Sequence, residues 1–308
     1  MDFRLTEDQR ALQKGVRELL AGRFGPEALR AAVERGGTVD RELWRELGAA
    51  GFFSLRLPEA QGGAGLGLPE AALVFEEAGR ALLNGPLVAT HVAAELIPEA
   101  ADGTCVVTCA TQLRSLIPHF AEADAALVIH GTGMRRRDPK DLPHTRPVRS
   151  MDPLTPVHRI PDGTPAKAPP RPDAVLLTAA EQLGSAARTT ETAVRYAGER
   201  EQFGQPIGGF QAVKHLCAQM LVRTELARSA VYAAAVTEDF TEIAGAKLLA
   251  DEAAVRNARD CLQVHGGMGF TWEAEVHLHL KRAWLRGQMW LSAAEAEEIQ
   301  ADALASAL

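Results

Sequence analysis

A chain of 308 residues that is 46% apolar and 24% charged is a folded globular protein with room for one large core or a few modules. Its net charge of −7 argues against nucleic acid as the main partner. No run of about 18 apolar residues is present to span a membrane.

Alanine and leucine dominate and only two tyrosines occur, which favours helix over sheet. The opening MDFRLTEDQR lacks an apolar core, so no signal peptide is expected and the location is read as cytoplasmic. Cys105, Cys109, Cys217 and Cys261 form no CxxC pair, which fits reduced and mostly buried thiols in that compartment.

In chain order, residues 3–100 read as helical. Thr6 followed by Gln9 resembles a capping box, and Leu12, Val16, Leu19 and Leu20 recur at helical spacing. A second helix covers about 40–50, with Leu43, Trp44 and Leu47 on one face. Gly62, Gly63, Gly65 and Gly67 then form a loop, and Pro69 suits the first turn of the next helix. Residues 69–96 read as one or two buried helices.

Near Asp102 the character changes. "GTCVVTCATQ" and "DAALVIHG" are short β-branched or apolar runs bounded by glycine, as in strands. The basic run Met134–Lys140 sits beside Pro and Asp and reads as a solvated loop. Seven prolines within 153–172 predict an extended linker. Helix returns at Asp173, in segments 173–199, 208–236, 239–264 and 275–306, which predict a four-helix bundle. The implied domains are 1–100, 101–172 and 173–308.

Two stretches carry groups suited to a phosphate-bearing ligand. "REQFGQPIGGFQAVKH", residues 200–215, joins the fork of Arg200 donors to the flat face of Phe203 and to glycines that admit close backbone approach. Gln211 lies at the start of the next helix, where free N–H groups favour anions. "CLQVHGGMGFTWE", residues 261–273, offers Gly266, Gly267 and Gly269. Taken singly, a salt-bridged helix–turn–helix corner and a plain helix C-terminus account for both.

Together, "YAGEREQFGQPIGGFQAVKHLCAQM" and the later "QVHGGMGF" resemble the C-terminal domain of the acyl-CoA dehydrogenase family. "LWRELGAAGFFSLRLPEAQGGAGLGLPEAALVFEEAG" is similar to that family's first helical domain, and "HLHLKRA" and "AAEQLGSA" to members acting on bulky CoA thioesters, including steroid side chains. The resemblance implies a mainly α fold: an N-terminal helical domain, a truncated middle β-region and a C-terminal four-helix bundle. It implies FAD bound at a subunit interface and α,β-dehydrogenation of an acyl-CoA. The matching cofactor-binding positions are Arg200, Gln202, Phe203, Phe210, Gln211, Gln263, Val264, His265, Gly266 and Gly267.

The chain departs from the family in two places. The middle region is short and "CATQLRS" stands where hydroxyl-rich flavin contacts belong. The positions of the catalytic glutamate fall on Trp290, Ala294 or Ala174, none of which takes a proton, while Asp173 and Glu295 lie one residue from such positions. No catalytic residue is therefore assigned. The resemblance points to a non-catalytic subunit of an α2β2 hetero-oligomer, completing the FAD site of a full-length dehydrogenase-like partner. A self-sufficient flavoenzyme using Glu295 or Asp173, and a scaffold that has lost flavin, are the alternatives. His277 and His279, at i and i+2, face different ways on a helix, so no metal site is expected.

Overall fold

The computed structural model describes residues 4–110, 116–130, 133–142, 145–160 and 169–307. The mainly helical class holds. The first helix, α1 (Glu7–Arg23), begins at the expected capping box: the Thr6 hydroxyl accepts from the Gln9 N–H at 3.1 Å, and the Gln9 side chain accepts from the Thr6 N–H at 3.0 Å. A helix that apolar spacing did not separate, α2 (Pro26–Glu34), comes next with proline in its first turn. Asp40 caps α3 (Arg41–Ala49), which buries Leu43, Trp44 and Leu47 as its spacing predicts.

Residues 69–96 form two helices, α4 (Leu68–Arg80) and α5 (Leu87–Ala93). The break is enforced locally. Leu82 has φ +55°, and Gly85 has φ +119° with its Cα against the Trp44 ring, so that a Cβ there would lie 2.4 Å from the ring. The Asn84 amide bridges this turn to the carbonyls of Gly37 and Thr38 at 3.0 and 3.1 Å. A short α6 (Pro98–Ala101) ends the helical region.

The middle region holds two small sheets. β1 (Val107–Cys109), β3 (Ala125–His130) and β4 (Gly133–Arg137) pair in the order β1-β3-β4. β2 (Leu116–Pro118), β5 (Arg146–Val148) and β6 (Val157–Arg159) pair in the order β2-β6-β5. The basic run is thus not a loop. Its arginines lie on β4, with Leu127 opposite Arg136, and an edge strand rich in cations resists pairing with other chains. Nor is 153–172 a free linker. Leu154 and Asp152 are fully buried and β6 is paired on both sides; the rest of the segment, 161–168, lies outside the described residues.

The C-terminal helices are α7 (Pro172–Glu199), α8 (Gln211–Thr237), α9 (Phe240–His265), α10 (Val276–Arg286) and α11 (Ala293–Ser306), with a hairpin of β7 (Glu201–Gln202) and β8 (Gln205–Pro206) after α7. The expected fourth helix over 275–306 is two helices. Trp290 takes φ +63°, and Ser292 opens α11 with its own capping box to Glu295, so 287–292 cannot be helical. Among the described residues no helix is long and apolar enough to cross a membrane.

The N-terminal helices and the bundle meet where α4 crosses α7. A Cβ on Gly79 would sit 1.9 Å from the Glu181 carbonyl oxygen, and one on Gly184 would sit 1.8 Å from that of Glu76. Only glycine permits such an approach of two backbones.

Two histidines are locked neutral inside this core. Burial holds His91, edge-on to Phe75, down to about 4. Burial and the nearby Arg188 hold His279, bonded to the Ser185 hydroxyl at 2.7 Å, down to about 3. Below pH 6.5 the unfolded chain takes up these protons and the folded chain does not until the lowered values. Stability is therefore full above pH 6.5 and falls as pH drops toward 4, by about 1.4 kcal/mol per pH unit for each histidine. Urea unfolding at pH 6.5 and 5.0 should show this loss, and His279→Gln should reduce its slope by one histidine's share, since His277, held down to about 4 by burial, and the lowered His265 and His158 also contribute; an unchanged slope would contradict the assignment.

Candidate functional site

The C-terminal end of α7, the N-terminal end of α8 and the C-terminal end of α9 meet at one end of the bundle. Tyr196, one turn before Arg200, stacks on His265 with ring centroids 4.0 Å apart and planes at 20°. His265 also bonds the Cys261 carbonyl at 2.8 Å through Nδ1, and burial lowers its pKa. This stack joins the two glycine-bearing stretches that stand out in the sequence. Tyr196 itself did not stand out there, although the aromatic in "YAGER" was the available signal.

The corner is held by backbone contacts. The Ile207 N–H donates to the Arg200 carbonyl at 2.8 Å, and Gly208 lies so close to α7 that a Cβ would meet the Ala197 oxygen at 2.9 Å. Phe203 and Gly204 turn the β7–β8 hairpin with φ of +54° and +78°, a two-residue turn with both φ positive. A bulky residue there is strained. The Phe203 ring is nevertheless 92% exposed, meeting only the Phe210 ring edge-on at 6.0 Å. Arg200 is exposed, and its guanidinium makes no hydrogen bond or ion pair with any described residue. The salt-bridged arginine of the plainer reading is therefore not found.

The other positions complete one surface. Gln202 is exposed and turns its amide back to the Glu201 carbonyl at 2.7 Å. Phe210 precedes α8, which has no side-chain cap, and the exposed Gln211 opens it with its amide 3.2 Å from His215. On α9, Gln263 is exposed and Val264 is buried beneath it. Gly266 has φ +60°, and a Cβ on Gly266 or Gly267 would meet nothing within 4 Å. The loop thus exposes its backbone to open space, as close approach of a ligand requires. Arg200, Phe203, the α8 N-terminus and this loop suit the phosphate and planar parts of a dinucleotide.

The middle of α7 is built in the opposite way. Thr178 and Glu181 face a cavity of about 30 Å³, lined also by Trp290, Arg282 and Arg286. Trp290 is 8% exposed. Arg286 donates to Glu181 at 2.7 Å, and Arg282 pairs with the fully buried Asp152 and donates to the Leu83 carbonyl at 3.1 Å. Burial pushes Glu181 above the usual carboxylate range against the pull of Arg286, and lowers Arg286 to about 10. A space of that size holds a water-sized guest, not an isoalloxazine or an acyl chain. The Thr108 hydroxyl of β1 donates to the Pro118 carbonyl at 2.5 Å, leaving none of its protons for a ligand.

The nearby carboxylates are committed. Burial would raise the Asp173 carboxyl, but Arg171 and Arg56, at 2.9 and 3.0 Å, hold it below its ordinary value. Glu295 accepts from the Ser292 N–H and hydroxyl at 3.0 and 2.8 Å. Among the described residues no group of His, Cys, Asp and Glu could hold a metal ion.

Comparison with known proteins adds independent observations. The family model described as acyl-CoA dehydrogenase, C-terminal domain, matches residues 175–308, and that described as acyl-CoA dehydrogenase, N-terminal domain, matches 6–104. The chain is 35% identical over 294 residues to acyl-CoA dehydrogenase IpdE2 of Mycobacterium tuberculosis, covering 90% of this chain and 91% of the relative. It is 34% identical to acyl-CoA dehydrogenase FadE34 of the same organism, covering 91% of this chain but 45% of that protein, so it spans about half of that relative. The solved ChsE4-ChsE5 complex from Mycobacterium tuberculosis contains a chain with TM-score 0.84 and 25% identity, covering 99% of both chains. A variant of the Tcur3481-Tcur3483 steroid ACAD contains one with TM-score 0.84 and 26% identity, covering 98% of both.

Trp290 and Phe203 should respond to truncation in opposite ways. Trp290→Ala empties a packed position and should destabilise the chain by about 3–5 kcal/mol. Phe203→Asn removes an exposed ring from a positive-φ turn and should shift stability by less than about 0.5 kcal/mol. Urea unfolding of both variants checks this, and a large loss for Phe203→Asn would mean that the ring serves the fold.

Proposed function

The chain belongs to the acyl-CoA dehydrogenase family, and we propose that within it this chain is the non-catalytic subunit of a FAD-dependent hetero-oligomer. A full-length relative supplies the β-domain and the catalytic base. This chain supplies the residues that clasp the adenosine and pyrophosphate end of the partner's FAD. The observation that carries the reading is the contrast between the two halves of the site. On the nucleotide side Arg200 and Phe203 are exposed and Arg200 is unpaired among the described residues, whereas the space proposed for ring and substrate is narrowed by Trp290 and two buried ion pairs.

Each residue then has a defined task. Arg200 holds a phosphate pair through its planar fork. Phe203 and Phe210 offer apolar faces, and the Gln211 amide and the free N–H groups that open α8 bind anionic oxygens. Gly266 and Gly267 let backbone amides approach, braced by His265 on Tyr196, with Gln202, Gln263 and Val264 bordering the surface. FAD, when bound, accepts the β-hydride from the acyl-CoA, while a carboxylate of the partner takes the α-proton. Asp173 and Glu295 are committed within this chain, which disfavours a self-sufficient enzyme.

An apolar stripe on α8 supports a partner seat beside this surface. Leu221, Val222 and Leu226 are 53%, 59% and 56% exposed, on the helix that Gln211 and His215 open. Exposed apolar groups in such a cluster mark an interaction surface. The heteromeric names of the two solved relatives favour a hetero-oligomer over a homomer, with α2β2 the arrangement proposed. FadE34, of which this chain spans about half, has room for a second unit of similar size. The name of the Tcur3481-Tcur3483 steroid ACAD supports a bulky, steroid-derived CoA thioester as substrate.

Co-purification with full-length acyl-CoA dehydrogenases from the same organism tests the reading. The chain alone should be colourless, and the complex yellow and active on CoA thioesters. Arg200→Ala should weaken FAD retention by the complex about 10- to 100-fold, as loss of a charge-assisted phosphate contact requires, without changing the complex's mass. Flavin bound by this chain alone, or unchanged retention in Arg200→Ala, would overturn the assignment.

A further inference from the structure

A second cavity, sharing no lining residue with the Trp290 space or with the nucleotide corner, lies where α1 and α2 face the C-terminal end of α4, the middle of α7 and the start of α10. Its volume is about 320 Å³, within the range of sites for small organic ligands. One wall is apolar, with Leu20, Phe24, Leu29 and Leu82. The other is charged, with Arg17, Arg80, Arg188, Glu77 and Glu275, and neutral His279 beside them.

The three arginines face Glu77 and Glu275, with Glu191 nearby, so the charges balance, but not all of them are paired. Arg17 clamps Glu77 through two bonds of 2.8 and 2.6 Å. Arg80 is engaged by Glu191. Arg188 is left over. It is half-buried, yet it makes no hydrogen bond or ion pair with any described residue. Burial lowers its pKa, and so does repulsion from Arg80 and Arg195, while Glu275 and Glu191 attract it without bonding. A half-buried guanidinium with no acceptor in the protein is free to take one from a ligand.

We propose that this cavity binds an amphipathic organic acid, its carboxylate held by Arg188 and its apolar body packed on Leu20, Phe24 and Leu29. Arg17 and Arg80 are occupied by Glu77 and Glu191, which leaves Arg188 as the cation able to hold an anionic head. A small inorganic anion would leave the apolar wall uncovered. None of its lining residues belongs to the corner, the glycine loop or the exposed face of α8.

Calorimetry on the full chain tests this with decanoate, decanol and acetate as probes. Decanoate should bind once per chain with a submillimolar Kd. Decanol, which lacks the charge, and acetate, which lacks the body, should each bind at least about tenfold more weakly, the loss expected for a charged hydrogen-bonded pair. Arg188→Gln should weaken decanoate about tenfold and leave decanol unchanged; Leu29→Trp should weaken both. Decanoate binding no better than decanol, or unaffected by Arg188→Gln, overturns the proposal. Should Arg188→Gln fail to fold, phenylglyoxal labelling of the unaltered chain decides. Protection of Arg188 by decanoate but not by decanol, read by peptide mapping, supports the site, and absence of protection overturns it.

Discussion

The crossing of α4 over α7 governs the rest of the molecule. Gly79 faces the backbone of Glu181, and Gly184 faces that of Glu76, each too closely for any side chain. Two helices in backbone contact leave no space for water between them, so the carboxylates beside the glycines must find partners within the protein. Glu76 takes Arg228 and Tyr232 of α8, the latter at 2.6 Å. Glu77 takes Arg17 of α1, and Glu181 takes Arg286 of α10. One contact thereby dictates how three other helices attach. Loss of the arginine partner of Glu77 or Glu181 would leave a buried carboxylate without its main partner, which is far more damaging than loss of a surface pair.

This constraint explains why α7 carries three different environments along its 28 residues. Its first half is pinned by the crossing, and there Thr178 and Glu181 face the small Trp290 cavity. One turn past the glycine contact, Arg188 emerges into the larger cavity under α1 and α2. At the far end the helix is free of α4, and Tyr196 and Arg200 stand at the exposed corner. The grip on the first half fixes the direction in which the last turn points, so the corner is preorganised although its own side chains are largely in solvent.

What the sequence disclosed has the same division. Capping at Thr6, the apolar face of α3 and the three long helices α7, α8 and α9 were legible because they rest on local spacing and on end signals. The residues of the corner and the glycine loop were legible because glycine, arginine and phenylalanine cluster there. Features set by contacts distant in sequence were not. The break between α10 and α11 coincides with a buried tryptophan at positive φ, and the burial of Asp152 goes with Arg282 reaching it across 130 residues. The arginines of β4 looked like a loop because charge hides strand pairing, which β3 supplies from its apolar side. Tyr196 stacking on His265 links two segments that the sequence leaves nearly seventy residues apart.

The small size of the Trp290 cavity also bears on how such a chain could change role. Enlarging the cavity would need Trp290 to leave a buried position and the Arg282–Asp152 and Arg286–Glu181 pairs to part. No single substitution does all of that, and each partial step strands a charge in a dry interior. The corner needs no such rearrangement: Arg200 is exposed and unpaired among the described residues, and the Gly266–Gly267 backbone faces open space. On the proposed reading the two states support one another. A chain whose ring-side space has been consolidated into core gains rigidity along α7, and that rigidity aims the corner at a nucleotide held mainly by another subunit. The strain stored in Phe203 at positive φ is then intelligible as the cost of keeping an aromatic face in solvent until a partner covers it.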